Sequence, residues 1–352
     1  MEIYVMKKKF VLTLALVLLV VVGLSAATPL TVSGSFKAGY KLTFATNNAI
    51  AGVNNGFEGD MDAVVDITGD FWKVSLSGTP VFDAKMAASA EIYLDKALAA
   101  QGTDMGDLTL KIAIGNKSDL GGLSAYTNSR DKLTGLKMAS GFVGAYAASM
   151  TVGYGDLVTV MVGADPVSFL DQQVDVSASI VAKDKNNAII LSAKSTPVEG
   201  VTAAVAYTNV DALSAKGSVA GSVAVDVAAL AGIEDFGLTA SAYDVFLFTG
   251  EVNKLYLELK GSYDKISAWT EYRILNKTND MKLSASYSGI ENVGLSAFVE
   301  LADITKEVAT KVETIIGGGV TYTMGGVKYA LDVDYATKTE AFTMSPTVKI
   351  AF

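Results

Sequence analysis

The chain contains no cysteine and no histidine, and only five prolines and two tryptophans among 352 residues. Without thiols no disulfide can staple the fold and no N-terminal cysteine can carry a lipid anchor, so a large core or a closed sheet must hold the chain. Without histidine, Ser-His-Asp triads and histidine-ligated zinc sites are impossible. Positive charge is also short. The formal charge of −9 removes the electrostatic footprint of a nucleic-acid binder and opposes adsorption to an anionic membrane surface. Long apolar runs are scarce as well. A helical membrane span needs about 20 consecutive apolar residues. Half of the chain is apolar, yet its one long run, Phe10 to Leu24, lies at the N-terminus.

That run reads as an export signal. Met6-Lys7-Lys8-Lys9 is a positive n-region, Phe10 to Gly23 an apolar h-region, and Ser25-Ala26-Ala27 a small-residue cleavage site. Cleavage is expected after Ala27, which divides the chain into a signal peptide, 1–27, and a single domain, 28–352. A retained anchor is the alternative, and the short run followed by Pro29 argues against it. Met6 makes a better start than Met1.

After Pro29 the apolar period changes to two. Val32, Gly34, Phe36, Ala38, Tyr40, Leu42 and Phe44 alternate with Thr31, Ser33, Ser35, Lys37, Lys41 and Thr43. Successive strand side chains point to opposite faces, so the segment has one apolar and one polar face. The pattern recurs at Val174–Ile180, Leu255–Lys260, Met281–Tyr287 and Val327–Tyr335. Ala84–Ala100 and Ile304–Thr314 are the best helix candidates, and the first also reads as a strand through Met86, Ala88, Ala90, Ile92 and Leu94.

A soluble sandwich would alternate in the same way. The export signal, segments of about 8 to 12 residues, aromatics near segment ends (Phe44, Phe71, Trp72, Tyr154, Tyr263, Tyr272, Tyr335) that suit interfacial girdles, and a final alternating strand ending on Phe352 favour a membrane wall. The expected fold is all-β: a transmembrane antiparallel up-and-down β-barrel.

In its termini and overall pattern the chain resembles the bacterial outer-membrane porins. In that family the last strand ends in Phe with apolar residues at alternate positions before it, and the barrel-assembly machinery reads this end; Phe352, Ile350 and Val348 match. The resemblance implies an outer-membrane location and contact with its lipid. It also implies a water-filled channel for passive diffusion of ions and small hydrophilic solutes, and a homotrimer. The chain departs from the family in lacking the Pro-Glu-Phe-Gly-type motif of many constriction loops.

Three hairpin units share a Gly/Glu turn, around Glu199-Gly200, Gly232–Gly237 and Gly289–Gly294, where glycine supplies positive φ. They read as short periplasmic turns. With both termini periplasmic the strand number is even, roughly 18 to 20 within a range of 16 to 20. The higher count includes a strand at Leu133–Ala139, turning at Ser140-Gly141.

The polar set would then line the lumen. Its serines and threonines leave room for water. Its basic members include Lys37, Lys41, Lys73, Lys85, Lys111, Lys183, Lys194, Lys260, Arg273, Lys282, Lys328 and Lys349. Its acidic members include Asp62, Asp66, Glu91, Asp95, Asp175, Asp226, Glu258, Glu271, Glu300, Asp332 and Asp334. These nearly cancel, which predicts weak ion selectivity, slightly cationic from loop charges such as Glu58–Asp60, Asp104–Asp107 and Asp165–Asp171. For any one of them, plain solvation of the wall is the commoner role.

Other chemistry is faint. Asp332 and Asp334 share a strand face but read as ordinary wall charges rather than a glycosidase pair. Asn55–Asp62 lacks EF-hand spacing for calcium. Gly317-Gly318-Gly319 is followed by no Gly-Lys-Ser/Thr, so a strand kink or bulge is expected there. Trp72 and Trp269 read as girdle or wall residues rather than sugar-stacking ones. No catalytic residue, metal or cofactor is expected. Two rivals to a diffusion channel stand: a structural or adhesive surface barrel with little conduction, and a secreted soluble all-β protein.

Overall fold

The computed structural model describes residues 30–45, 56–79, 85–116, 122–126, 146–164, 175–176, 179–180, 189–209, 217–248, 251–275, 278–304 and 313–351. The expected signal peptide, Lys183, Phe352, Asp165–Asp171 and the strand expected at Leu133–Ala139 lie outside them.

Eighteen antiparallel strands form one closed sheet. The wall begins with β1 (Leu30–Ala45), β2 (Gly56–Thr68), β3 (Trp72–Thr79), β4 (Lys85–Tyr93), β5 (Leu108–Asn116), β6 (Tyr146–Tyr154) and β7 (Val158–Ala164). Two short strands, β8 (Asp175–Val176) and β9 (Ser179–Ile180), pair only with each other. The wall resumes with β10 (Ile189–Val198), β11 (Val201–Thr208), β12 (Ser218–Asp226), β13 (Phe236–Leu247), β14 (Val252–Tyr263), β15 (Ile266–Leu275) and β16 (Thr278–Ile290). It ends with β17 (Val293–Ala302), β18 (Glu313–Met324), β19 (Val327–Ala336) and β20 (Ala341–Ala351). β7 pairs with β10, and β20 pairs with β1 to close the ring.

Closure removes every sheet edge, which is how a wall of this size avoids unpaired backbone groups. The even count agrees with the parity argument. Val174–Ile180 is not a wall strand, although it alternates: its described parts sit in the small β8–β9 hairpin, outside the closed sheet.

Register keeps the two faces separate through most of the ring; the exceptions are Asp244 of β13, on the apolar face, and a buried apolar cluster with Met161, Ile190, Val245 and Leu247 on the polar one. Directly opposed residues share a face, and Lys37 opposes Lys349, Asp334 opposes Thr343, Lys282 opposes Glu300, and Glu258 opposes Glu271. On the other face Phe36 opposes Ile350, Leu331 opposes Pro346, Leu283 opposes Val299, and Leu257 opposes Tyr272. A slip of one residue anywhere would exchange the faces. Among the described residues the only register shifts, Ser195/Val198 and Tyr287/Ile290, lie at strand ends beside turns. The apolar face carries an exposed aromatic band near each end: Phe44, Phe342 and Tyr335 at one, Tyr263, Tyr287, Tyr322 and Tyr329 at the other.

The tight turns Tyr263–Ile266, Ile290–Val293 and Met324–Val327 lie at the same end as both chain termini, as does the longer β4–β5 connection, and the connection from β5 to β6 leaves from the other end. Asn292 and Asp264 adopt positive φ, 63° and 48°, at two of these turns. The β12–β13 unit departs from a plain turn. Val227–Ala231 forms a short helix whose N-cap Asp226 accepts from Ala229 N–H at 3.0 Å, and Gly232 closes it at φ 66°. Asp226 therefore serves as a cap at the strand end.

Ala84–Ala100 divides between the two readings the sequence offered: β4 runs to Tyr93 and a helix occupies Leu94–Ala100. Asp95 thus lies in a helix and not on the wall. Glu58–Asp60 and most of Asn55–Asp62, expected as an outer loop, belong to β2. The three glycines Gly317–Gly319 neither kink nor bulge β18, whose pairing with β17 and β19 runs through them unbroken. They admit neighbours instead: a Cβ at Gly317 would stand 2.5 Å from Phe298 Cζ, and one at Gly318 2.6 Å from the Ser296 carbonyl oxygen.

Candidate functional site

Most strand serines and charges share one face, and a short piece of chain lies on it. Residues 122–126 belong to the connection between β5 and β6. Leu123 N–H donates to Ser192 Oγ on β10 at 3.1 Å, and Ala125 N–H donates to Ser222 Oγ on β12 at 2.8 Å. Gly122 comes so close to the wall that a Cβ there would meet Ala206 of β11 at 2.9 Å. Tyr126 packs on Tyr243 of β13 and Tyr256 of β14, with ring centroids 5.8 and 6.4 Å away. Its hydroxyl donates to Glu271 of β15 at 3.0 Å.

From the end of β5 to β15 is eight strand places, about 38 Å measured at the wall and more outside it. The ten residues from Lys117 to Tyr126 span at most about 35 Å. The segment reaches β15 by crossing the barrel, so the face it covers is the concave one.

Beneath it lies a buried polar knot. Glu271 is 1% exposed, and Arg273 donates to its second oxygen at 2.6 Å. Arg273 also stands 5.6 Å from the Tyr256 ring. Glu258, equally withdrawn from solvent, pairs with Lys260 at 2.9 Å. An unpaired buried carboxylate costs roughly several kcal/mol, and these partners offset that cost under the segment. Burial and the negative charge of Glu271 raise the Tyr126 pKa, so its phenol keeps its proton and remains a donor.

Other predicted residues form pairs elsewhere on the same face. Lys73 meets Asp66 at 2.9 Å, and Ser75 donates to the same carboxylate at 2.6 Å. Lys111 meets Glu91 at 2.9 Å, with Tyr93 donating to the other oxygen at 2.6 Å. Lys282 meets Glu300 at 3.5 Å and lies 4.3 Å from the Phe298 ring centroid. Lys37, Lys41, Asp332 and Asp334 hold same-face register positions on β1 and β19. Asp62 falls opposite Ser35 in the backbone register, and Asp175 belongs to β8, away from the wall. Trp269 faces inward beside Lys282, 6.0 Å from its ring centroid, and is no part of an outer girdle.

No protein-family model matches the chain, and no curated protein does. Solved structures do. OpdQ of Pseudomonas aeruginosa aligns over 92% of this chain and 98% of its own at 9% identity, with a TM-score of 0.55. OpdL of the same organism gives 0.54 at 9% identity over the same shares. A triple mutant of the Rhodopseudomonas blastica porin gives 0.48 at 12% identity, over 92% of this chain and all of its own. The fold is that of OpdQ and OpdL.

In this fold the residues that sequence reasoning missed are Leu123, Ser124, Ala125, Tyr126, Tyr243 and Tyr256. The signal available was length. The stretch between Asn116 and Tyr146 is the longest connection between wall strands, and placing a strand inside it concealed that. The serines also act differently from expectation. Ser192 and Ser222 do not simply leave space for water; they anchor the backbone of the inner segment.

Proposed function

We propose that the chain is an outer-membrane channel for passive diffusion of ions and small hydrophilic solutes. It is exported by a signal peptide cleaved after Ala27. The convex face meets lipid, and the concave face, with Lys37, Lys41, Asp66, Lys73, Lys111, Glu258, Lys260, Glu271, Arg273, Lys282, Asp332 and Asp334, bounds the water-filled passage. The observation that carries the reading is the closed 18-strand register, which gathers most wall charges on one face and the exposed aromatic bands on the other. A ring of this many strands is too wide for wall side chains alone to fill, and strands β13 to β20, of 10 to 13 residues, suit a tilted bilayer crossing.

Residues 122–126 narrow the passage on the β10–β15 side. Selectivity among ions is weak, because the acids and bases at the narrowing neutralise each other in pairs. Ile350 and Val348 stand exposed on the convex face of the last strand, where the assembly machinery can read them together with Phe352. The resemblance to porins supports association into a homotrimer, and mass measurement in mild detergent tests it.

Planar-bilayer recording of the folded protein tests the channel. Stepwise, ohmic conductance with a small reversal potential in a salt gradient is expected. Electrical silence from protein that shows heat-modifiable gel mobility would replace this reading with a structural or adhesive barrel.

A further inference from the structure

Asp244 of β13 breaks the pattern of the wall. Among the charged residues of the described wall strands, it alone holds a register position on the convex face. Gly221 of β12 stands directly opposite it on one side and Leu255 of β14 on the other. The end of the strand at Leu247 is three residues away, about 10 Å along the chain. The carboxylate is exposed and meets no base among the described side chains. A charge on the lipid face of a barrel weakens the wall, aspartate less than arginine, and ionisable groups at membrane depth pair with one another.

The carboxylate borders a notch. A Cβ at Gly221 would touch nothing within 4 Å, and beyond Gly221 the next strand presents Val205. Toward the strand end the next convex row is Tyr207, Val219 and Phe246. Phe248 joins the two rings of that row, its centroid 6.4 Å from Tyr207 and 5.9 Å from Phe246. The notch therefore has an open floor, an acid along one side and aromatic rings at its upper end. Carboxylates and aromatic faces both attract cations.

We propose that this notch docks a lysine or arginine carried by a different membrane-spanning chain. Charge fixes the chemistry of the partner. Every lysine and arginine of the described wall strands has its register position on the concave face. A second copy packed wall to wall would bring no base to Asp244, and about a two-fold axis it would bring its own Asp244. Depth fixes the source. The aromatic row lies between Asp244 and the end of the barrel, so a lipid amine would have to sink past it, whereas a spanning segment holds its side chain at a set depth. The proposal rests on the reading that the convex face meets lipid.

The probe is a dye-labelled helix of about 20 leucines and alanines that bears one lysine. It is reconstituted in phosphatidylcholine vesicles with the folded protein, labelled at Lys265→Cys in the β14–β15 turn, since the chain has no thiol of its own. Energy transfer between the two should saturate, and should be about tenfold weaker when leucine replaces the helix lysine. Asp244→Asn should weaken it by the same factor and Asp244→Glu should keep it. Gly221→Leu, which fills the notch, should block it, and Glu340→Gln, in the β19–β20 turn, should change nothing. Equal transfer to both helices, or transfer indifferent to Asp244→Asn, would overturn the docking site; heat-modifiable protein inserted in the vesicles would leave the membrane reading standing. Protein that never enters vesicles would overturn both. Loss of the signal when phosphatidylethanolamine replaces phosphatidylcholine would assign the notch to a lipid amine. A lower assembly mass for Asp244→Asn in mild detergent would assign it to a second copy. Either result overturns the partner proposed.

Discussion

The hydroxyl of Tyr126 donates to Glu271 at 3.0 Å across 145 residues of chain, while Arg273 occupies the second oxygen of the same carboxylate. One hydrogen bond thus fixes a connecting segment to a wall strand on the far side of the barrel. Three stacked or tilted tyrosines surround it, with Tyr243 and Tyr256 themselves 5.9 Å apart. Each aromatic pair is worth about 0.5–1.5 kcal/mol beyond its buried area, so the segment is held by rings and one acid together.

Replacing Tyr126 by Phe keeps the ring contacts and removes the donor. A buried acceptor left unmet costs about 1–3 kcal/mol, so the segment should detach more often. Single-channel recordings of Tyr126→Phe should show higher and noisier conductance than the parent. Identical traces would mean that residues 122–126 do not limit the current.

Alkaline titration should leave this anchor for last. The folded pKa of Tyr126 is raised, first by burial and then by Glu271. A raised folded pKa gives stability that is complete below the unfolded tyrosine value of about 10 and is lost as pH climbs through the folded value. Ultraviolet difference titration of the parent against Tyr126→Phe should therefore assign to Tyr126 an ionisation above that of exposed tyrosines. An ordinary tyrosine midpoint would show that the phenol is not held as described.

Gly317 should not accept a side chain. Its Cβ would crowd Phe298 on one neighbouring strand and the Val333 carbonyl oxygen, 2.7 Å away, on the other. Gly317→Val should destabilise the barrel by about 1–3 kcal/mol, read as a lower temperature for the gel-mobility transition. Gly221→Ala, which has open space around it, should shift that temperature little. Equal behaviour of the two variants would contradict the close packing of β17, β18 and β19.

Leu257 and Lys260 should respond in opposite ways. Leu257, 40% exposed, lies on the convex face, and Lys260 lies on the concave one. Arginine on a lipid-facing wall costs about 2–4 kcal/mol at the bilayer midplane, so Leu257→Arg should fold poorly into vesicles. Lys260→Gln should insert normally. Insertion of Leu257→Arg at the parent rate would place that face away from lipid.

Alternation alone was enough to assign faces. In β1, Val32 through Phe44 read as one apolar set in the sequence, and the register places them together; Lys37 and Lys41 fell on the opposite face for the same reason. A strand's period of two makes that assignment local, needing no knowledge of neighbours. Val174–Ile180 marks the limit of the rule, since the same period occurs in a small hairpin that pairs only with itself.

What the sequence by itself determined was therefore an antiparallel two-faced wall with an even number of strands, because side-chain period, turn chemistry and parity are properties of short stretches. The tertiary structure decided the rest: that the ring closes at 18 strands through the pairing of β1 with β20, and that Tyr126 finds Glu271. Each of these depends on which strand neighbours which and on where a long connection comes to rest. Contacts between residues more than a hundred positions apart leave no local pattern from which they can be read.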